Sequence, residues 1–322
     1  MEFYPAQGRG APTFSKYDNP LPTNEAPVPH DQRSPPVSLS RSSTRKAAGA
    51  VIAAAAILAS QTGAFAATSA AAIAQLPANI KKAGVINFGV DATYRPNEFK
   101  DAKGNPIGWE IELVNAVAAK LGVKAHFTIA TFDSILPGVK GGKYDAGISS
   151  FTDNKEREAQ FDFANYFTAG IQWASPKGKP VDPNNACGLT IAVQTGSTEI
   201  DDLKAKSAAC VKAGKKAITQ LSYDAQDAAV AAVVLGRAQA FTADSPVTED
   251  GVAQSKGKLA LDGAIYGAAP YGIPVLKGSS LAKAFSLALA AVNKDGTYSK
   301  ILKKWGVEAG TVSSFGVNGA IN

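Results

Sequence analysis

The chain has 322 residues, 45% of them apolar and 19% charged, with a net charge of +6. This composition supports packed cores in two lobes and excludes a wholly disordered chain. Six Lys/Arg and four Asp/Glu fall in residues 1–66, which leaves +4 on the rest with no basic cluster among aromatics, against nucleic-acid binding. Two cysteines without a CxxC spacing and one histidine, His126, after the leader argue against a structural zinc or other metal site.

Residues 1–40 are rich in Pro, Ser, Asn and Asp without an apolar period, so disorder is expected there. Arg41, Arg45 and Lys46 then lead into AAGAVIAAAAILAS (47–60) and the small-residue site Ala64-Phe65-Ala66. Basic, apolar, then A-x-A is the order of a secretory signal peptide, cleaved near Ala66, with export to the periplasm. The alternative is an uncleaved anchor, although the run falls short of the roughly 20 apolar residues that a span needs. No cysteine follows it, which rules out a lipid anchor. Forty residues ahead of the basic segment are unusual for a leader, so a start near Val37 is expected instead of Met1. In an oxidising compartment the lone pair Cys187 and Cys210 is expected to form a disulfide.

Beyond residue 67 the pattern predicts a helix over 71–83, a strand over 85–90, and an amphipathic helix over 110–121 with Ile111, Val114, Val117 and Leu121 on one face. A strand at 125–129, a helix at 132–139 stopped by Gly141-Gly142, and a strand at 145–149 complete a βαβαβ run, which implies a parallel sheet. A second run follows: strand 189–193, helix 199–213, strand 217–221, helix 225–235, strand 240–243. Extended segments at 170–176 and 268–276 flank it, so the expectation is an α/β chain with one lobe (173–268) inserted into another (67–172 and 269–322) through a two-stranded hinge. Helices are expected over 281–292 and 295–305, ending at Gly306, and the Gly/Ser-rich residues 307–322 are expected to fray.

The stretch YDAGISSFTDNKER (144–157) carries the clearest chemistry. A buried strand runs into a turn of hydroxyl residues, Ser149, Ser150 and Thr152, and then into a helix start with Thr152 or Asp153 as cap and Asp153 to Glu156 at capping-box spacing. Helix-start N–H groups and the Arg157 guanidinium both suit a planar two-oxygen anion, so the stretch reads as a carboxylate trap. The alternative places Arg157 on a solvated face, paired with Glu156 or Glu158. His126, on a strand beside apolar residues, is read as structural.

Eight pieces occur in an order that resembles the bacterial periplasmic amino-acid-binding proteins, the polar-amino-acid family (family 3) of ABC-transporter substrate-binding proteins. They are DATYRPNEF (91–99), GWEIEL (108–113), FDSILPGVKGGKYD (132–145), ISSFTDNKER (148–157), VQTGST (193–198), GRAQAFTADSP (236–246), YGIPVLKG (271–278) and DGTYSKILKKWG (295–306). The resemblance implies a two-lobed periplasmic-binding-protein-like fold (type II), each lobe a sheet flanked by helices, closing on a free amino acid. It also implies an ABC-transporter membrane permease as partner, a monomer and no cofactor. Arg157 matches the arginine on the ligand α-carboxylate, with backbone N–H groups at Thr152 and at the Gly196-Ser197-Thr198 turn. Asp244 matches the acceptor of the α-ammonium, with Ser150 beside it, or it caps the following helix. Neither Arg157 nor Asp244 is expected to be satisfied in an empty cleft. Tyr94 and Phe132 match the aromatics around the ligand side chain, and Gln194 a position that varies with ligand. The chain departs from many relatives in carrying Asn97 after Pro96 and Trp109 for Phe or Tyr. Asp91 implies a polar or cationic side chain, unless it only caps the turn before Tyr94; Arg95 keeps glutamate open. The competing classes are a periplasmic enzyme resembling cyclohexadienyl dehydratase, which needs an acid or base in the cleft, and a receptor sensor domain, which would bring a membrane helix and kinase or channel segments.

Overall fold

In the computed structural model, which describes residues 68–321, the helix expected over 71–83 is two helices, α1 (Ala70–Ala74) and α2 (Ala78–Ala83). Pro77 separates them because it has no N–H to continue a helical ladder. The leader expected to be disordered, the apolar run with its expected cleavage site and the expected start near residue 37 lie outside the described residues. Among the described residues no helix is long and apolar enough to cross a membrane.

The predicted alternation is present, with three short strands that the pattern did not predict: β1 (Val85–Val90), the short β2 (Thr93–Tyr94), β3 (Glu98–Lys100) and β4 (Pro106–Ile107), α3 (Trp109–Lys120), β5 (Lys124–Ile129), α4 (Phe132–Lys140), β6 (Ala146–Gly147) and the four-residue α5 (Lys155–Glu158). There follow β7 (Phe161–Pro176), β8 (Thr190–Gln194), α6 (Glu199–Lys212), β9 (Thr219–Tyr223), α7 (Gln226–Val234), β10 (Ala240–Asp244), α8 (Ser245–Gln254), β11 (Leu259–Leu276), α9 (Leu281–Lys294) and α10 (Thr297–Trp305). The apolar stripe on α3 is buried as the spacing requires, with Ile111, Val114, Val117 and Leu121 at 6% exposure or less.

The main sheet runs β5-β1-β6-β11-β7-β10-β8-β9. β5, β1 and β6 are parallel, as are β10, β8 and β9, so each βαβαβ run builds one parallel half. Between the halves, β7 and β11 pair antiparallel from Phe161↔Leu276 to Pro176↔Leu259, with register shifts near Tyr266 and Tyr271. The two crossings are therefore longer than the extended segments read from the sequence, and one ribbon serves both lobes. This is the two-lobed type II arrangement. The first half buries Phe88, Trp109, Tyr271 and Phe285 in its main core, and the second packs one cluster around Phe241 and another around Trp173. Cys187 and Cys210 form a disulfide that ties the segment before β8 to α6.

Residues 307–321 are docked rather than frayed. Phe315 stacks edge-on against Tyr298 at 5.2 Å, Ala164 and Val317 form a bridge, and Asn318 accepts from the Phe163 amide at 2.9 Å. The composition of the tail suggested mobility, but its polar groups find partners far back in the chain.

Candidate functional site

The trap stretch folds as a strand and turn, with its helix reduced to one turn. Asn154, not Thr152 or Asp153, caps α5, its side chain accepting from the Arg157 amide at 2.9 Å. Asp153 turns inward instead and accepts from Asn165 Nδ2 at 2.8 Å. Four residues align too few peptides for a useful dipole, so the anion-attracting group on this side is the guanidinium. Arg157 donates to the Thr152 carbonyl at 2.9 Å and, across the cleft, to the Gly196 carbonyl at 3.2 Å. It lies about one ring away from Phe132 and Phe151, at 5.8 and 5.7 Å, which stack on each other at 4.7 Å. The solvated pairing with Glu156 or Glu158 is not formed: Glu158 pairs with Lys155. Ser150 holds a left-handed φ of +52°, a conformation that costs about 1–2 kcal/mol for a residue with a Cβ. Two bonds to Glu110, from the Ser150 amide at 3.0 Å and its hydroxyl at 2.8 Å, hold it there.

From the second half come Gln194 at the end of β8, the turn Gly196-Ser197-Thr198 and Asp244 at the end of β10. Gly196 has φ +81°, and a Cβ there would stand 2.9 Å from Asp133 of the other lobe, so the turn needs glycine. Thr198 stands at the N-cap position of the fourteen-residue α6 without a side-chain capping bond. The Thr152 and Thr198 amides donate to no group among the described residues. Asp244 stands at the cap position of α8 but makes no capping bond.

All the candidate residues except Asp91 line a single cavity between the halves, together with Glu199, which the sequence reading missed. The cleft is shut, with about 10 Å³ left for water-sized spheres, room for one water. Its own polar groups meet across it. Tyr94 donates to Asp244 Oδ2 at 2.9 Å, the Thr93 hydroxyl accepts from the Gln226 amide at 3.1 Å, and Gln194 Nε2 donates to Asp91. In this closed cleft the Thr152 and Gly196 carbonyls accept from Arg157, and the Tyr94 hydroxyl donates to Asp244. Asp91 sits one side chain behind the cavity wall, held by Gln194 and by the Thr93 hydroxyl at 3.1 Å. Arg95 pairs with Asp250 at 2.9 Å and lines no part of this cavity. His126 is exposed on the edge strand β5. A larger cavity of about 390 Å³ lies beside α8 and residues 305–310, away from the candidate residues.

The model of the bacterial extracellular solute-binding proteins, family 3, matches residues 86–308. The chain belongs to this family. The arginine-binding protein of Corynebacterium glutamicum is 41% identical over 248 residues, 76% of this chain and 82% of that protein. Among solved structures, an ancestral arginine-binding protein bound to arginine has a TM-score of 0.64 at 35% identity, covering 69% of this chain and 98% of its own. An ancestral amino acid-binding protein, a precursor of cyclohexadienyl dehydratase, has a TM-score of 0.64 at 31% identity, covering 70% and 97%.

In this family-3 solute-binding protein the electrostatics around the cavity are dominated by buried acids. Burial, with repulsion from Glu199, pushes the Asp244 carboxyl well up, and the Tyr271 and Tyr94 hydroxyls and Arg157 only partly offset it. Burial also raises Glu199, opposed by the α6 N-terminus, Ser197 and Arg157. Asp91 is pushed up to about 6 by burial, against its bonds from Gln194 and Thr93. Arg157 is lowered by burial, and Glu199 and Asp244 counter that. Beneath the serines lies a second acidic pair, Glu98 and Glu110, both fully buried. Glu110 accepts from Tyr166 at 2.6 Å and Glu98 from Ser149 at 2.9 Å. Both carboxyls are raised by burial, Glu98 the more because Glu110 repels it. Two further residues belong to this network: Trp109 Nε1 donates to Asn97 Oδ1 at 2.6 Å, and Asn97 Nδ2 to Ser150 Oγ at 2.7 Å.

A raised carboxyl stabilises the fold fully below its ordinary value, 4.5 for Glu98, and that contribution is lost as pH rises toward the folded value. Thermal unfolding should therefore show lower stability at pH 8 than at pH 5, and Glu98→Gln should narrow that difference. An unchanged difference in the variant would show that the pair carries no proton.

Proposed function

We propose that the protein captures a cationic α-amino acid, arginine first among them, outside the cytoplasm and delivers it to an ABC-transporter permease. The observation that carries this is the charge of the cleft: Arg157 from one lobe faces Asp244 and Glu199 from the other, with Asp91 behind Gln194. One guanidinium serves the ligand carboxylate, and the surplus of carboxyls suits an ammonium and a second positive group. A glutamate side chain would add negative charge to that surplus, and Arg95, committed to Asp250, offers it nothing. A leucine side chain would leave Asp91 buried without a cation to face. The relatives whose names specify arginine support the same ligand.

In this reading Arg157 and the Thr152 and Thr198 amides hold the α-carboxylate, and Asp244 with Ser150 holds the α-ammonium. Tyr94 and Phe132 flank the side chain, and Gln194 swings aside so that the head group meets Asp91, with Ser149 and Ser197 completing the walls. The lobes are 67–172 with 269–322, and 173–268, working as a monomer without a cofactor after export through the leader and cleavage near Ala66. Binding without turnover is the role proposed, since the cleft groups all have binding tasks, although Glu199 and Asp244 would be the acids to examine in a dehydratase assay.

The test is calorimetric titration with arginine, lysine, ornithine, glutamine, glutamate and leucine, on the wild type and on Asp91→Asn. Arginine should bind best. Because empty-site Asp91 holds its proton up to about 6 and the ligand cation favours the ionised form, binding releases a proton at lower pH. Arginine affinity should fall below pH 6 toward about tenfold per pH unit, and Asp91→Asn should weaken binding and flatten that profile. Leucine binding best, or an unaltered profile in the variant, rejects the reading.

A further inference from the structure

We propose that the C-terminal tail is a strap that positions the Arg157 turn, so that residues remote from the cleft help set affinity for the ligand carboxylate. The proposal rests on the amino-acid reading above for its ligand, but not for its structural part.

The turn has little of its own to hold it. Helix α5 spans four residues and buries none of them, so no apolar face fixes Arg157 against a core. Besides the Asn154 cap, the Asn165 bond to Asp153 and the bridge of Thr152 to Tyr271 on β11, the turn is held by the tail. The Gly319 amide donates to Asp153 Oδ2 at 2.7 Å, and the Ala320 amide donates to Glu158 Oε1 at 3.1 Å. Asp153 precedes Arg157 by one helical turn and Glu158 follows it directly, so the tail brackets the arginine on both sides. Asn318 anchors the strap at β7: its Nδ2 donates to Asp162 at 2.8 Å, its Oδ1 accepts from the Phe163 amide, and its own amide donates to the Phe163 carbonyl at 2.9 Å. Upstream, the Asn165 amide donates to the Gly316 carbonyl at 3.0 Å, and Ser286 Oγ donates to the Phe315 carbonyl at 2.6 Å.

Asp153 is the joint between strap and site. It is 1% exposed and takes both Gly319 and Asn165 on one oxygen. The next carbonyl back, that of Thr152, is the one that receives Arg157. Displacing Gly319 therefore loosens the peptide that orients the guanidinium and carries the Thr152 amide. Residues 309–321 fall beyond the stretch that the family model matches.

The experiment compares the wild type with a chain lacking residues 316–322, with Gly319→Ala and with Gly316→Ala. A Cβ at Gly319 would stand 2.8 Å from Asn165 Oδ1, whereas one at Gly316 meets nothing within 4 Å. Two readouts are taken: hydrogen exchange of amides 154–158 without ligand, and affinity for arginine and for argininamide, which lacks the carboxylate. The truncation and Gly319→Ala should speed exchange at 154–158 while leaving β1 amides unchanged. They should weaken arginine about tenfold, as loss of bonds to charged groups implies, with argininamide changed less than about twofold; Gly316→Ala should match the wild type. Unchanged exchange, faster exchange with unchanged arginine affinity, or equal loss for both ligands each overturns the strap. If the truncated chain does not fold, Gly319→Ala decides by the same readouts. A wild type that binds neither ligand sinks the amino-acid reading alone, and the exchange result still decides whether the tail holds the turn.

Discussion

Arg157→Ala should abolish most ligand binding and leave the fold in place. Removing one partner of a desolvated charge pair typically costs about 2–5 kcal/mol, which is roughly 30-fold to several thousandfold in affinity. The upper part of that range is expected, because the ligand carboxylate would enter a closed cleft already rich in carboxyls. Folding should survive because the side chain bonds only to two carbonyls, both near the cleft surface, and α5 contributes nothing to a core. Arg157→Lys should recover little, since an ammonium cannot present two parallel donors. Titration calorimetry and circular dichroism read the two halves of the prediction. Full-strength arginine binding by Arg157→Ala would move the carboxylate site elsewhere, and a collapsed dichroism spectrum would make the residue structural.

The double variant Cys187→Ser, Cys210→Ser should lose roughly 3 kcal/mol of stability, the chain-entropy value for closing a loop of this length. The cysteines are 23 residues apart, and their loop contains β8, the Gly196–Thr198 turn and most of α6. For a chain of this size the unfolding midpoint should drop by roughly 6–12 °C, and a reducing agent should do the same to the wild type. Arginine affinity should change far less than the midpoint, because Cys210 packs among Trp173, Ile191 and Leu203, away from the cleft. Two free thiols in the exported protein, or a midpoint insensitive to reduction, would contradict the pairing.

What was readable in the sequence, and what was not, divides by the range of the forces involved. β1, α3 and the alternation of both βαβαβ runs follow from local apolar periods. Their repetition on either side of two extended segments was enough to indicate inserted lobes. Strands β2 to β4 were missed because two or three residues give no period to detect. The cap of α5 was misplaced because the Asp153 side chain has better partners twelve and 166 residues away. The docked tail fails for the same reason. Glu199 read as an ordinary first-turn acid on a helix; its burial depends on the opposite lobe closing over it. The Asp91 to Gln194 contact depends equally on closure.

The shut cleft makes ligand capture a substitution reaction rather than a simple docking. Tyr94 stands on Asp244 where an ammonium would go, two carbonyls occupy Arg157, and Gln194 occupies Asp91. A ligand must compete with four internal partners at these three groups, so each new hydrogen bond there is offset by one that is given up. Hydrogen-bond enthalpy then nearly cancels, and what discriminates between amino acids is whether one molecule completes the whole exchange. A zwitterion without a cationic tail can displace Tyr94 and the carbonyls but leaves Gln194 on Asp91, with that end of the pocket still shut. Selectivity would then be built from the contacts that the closed lobes make with each other.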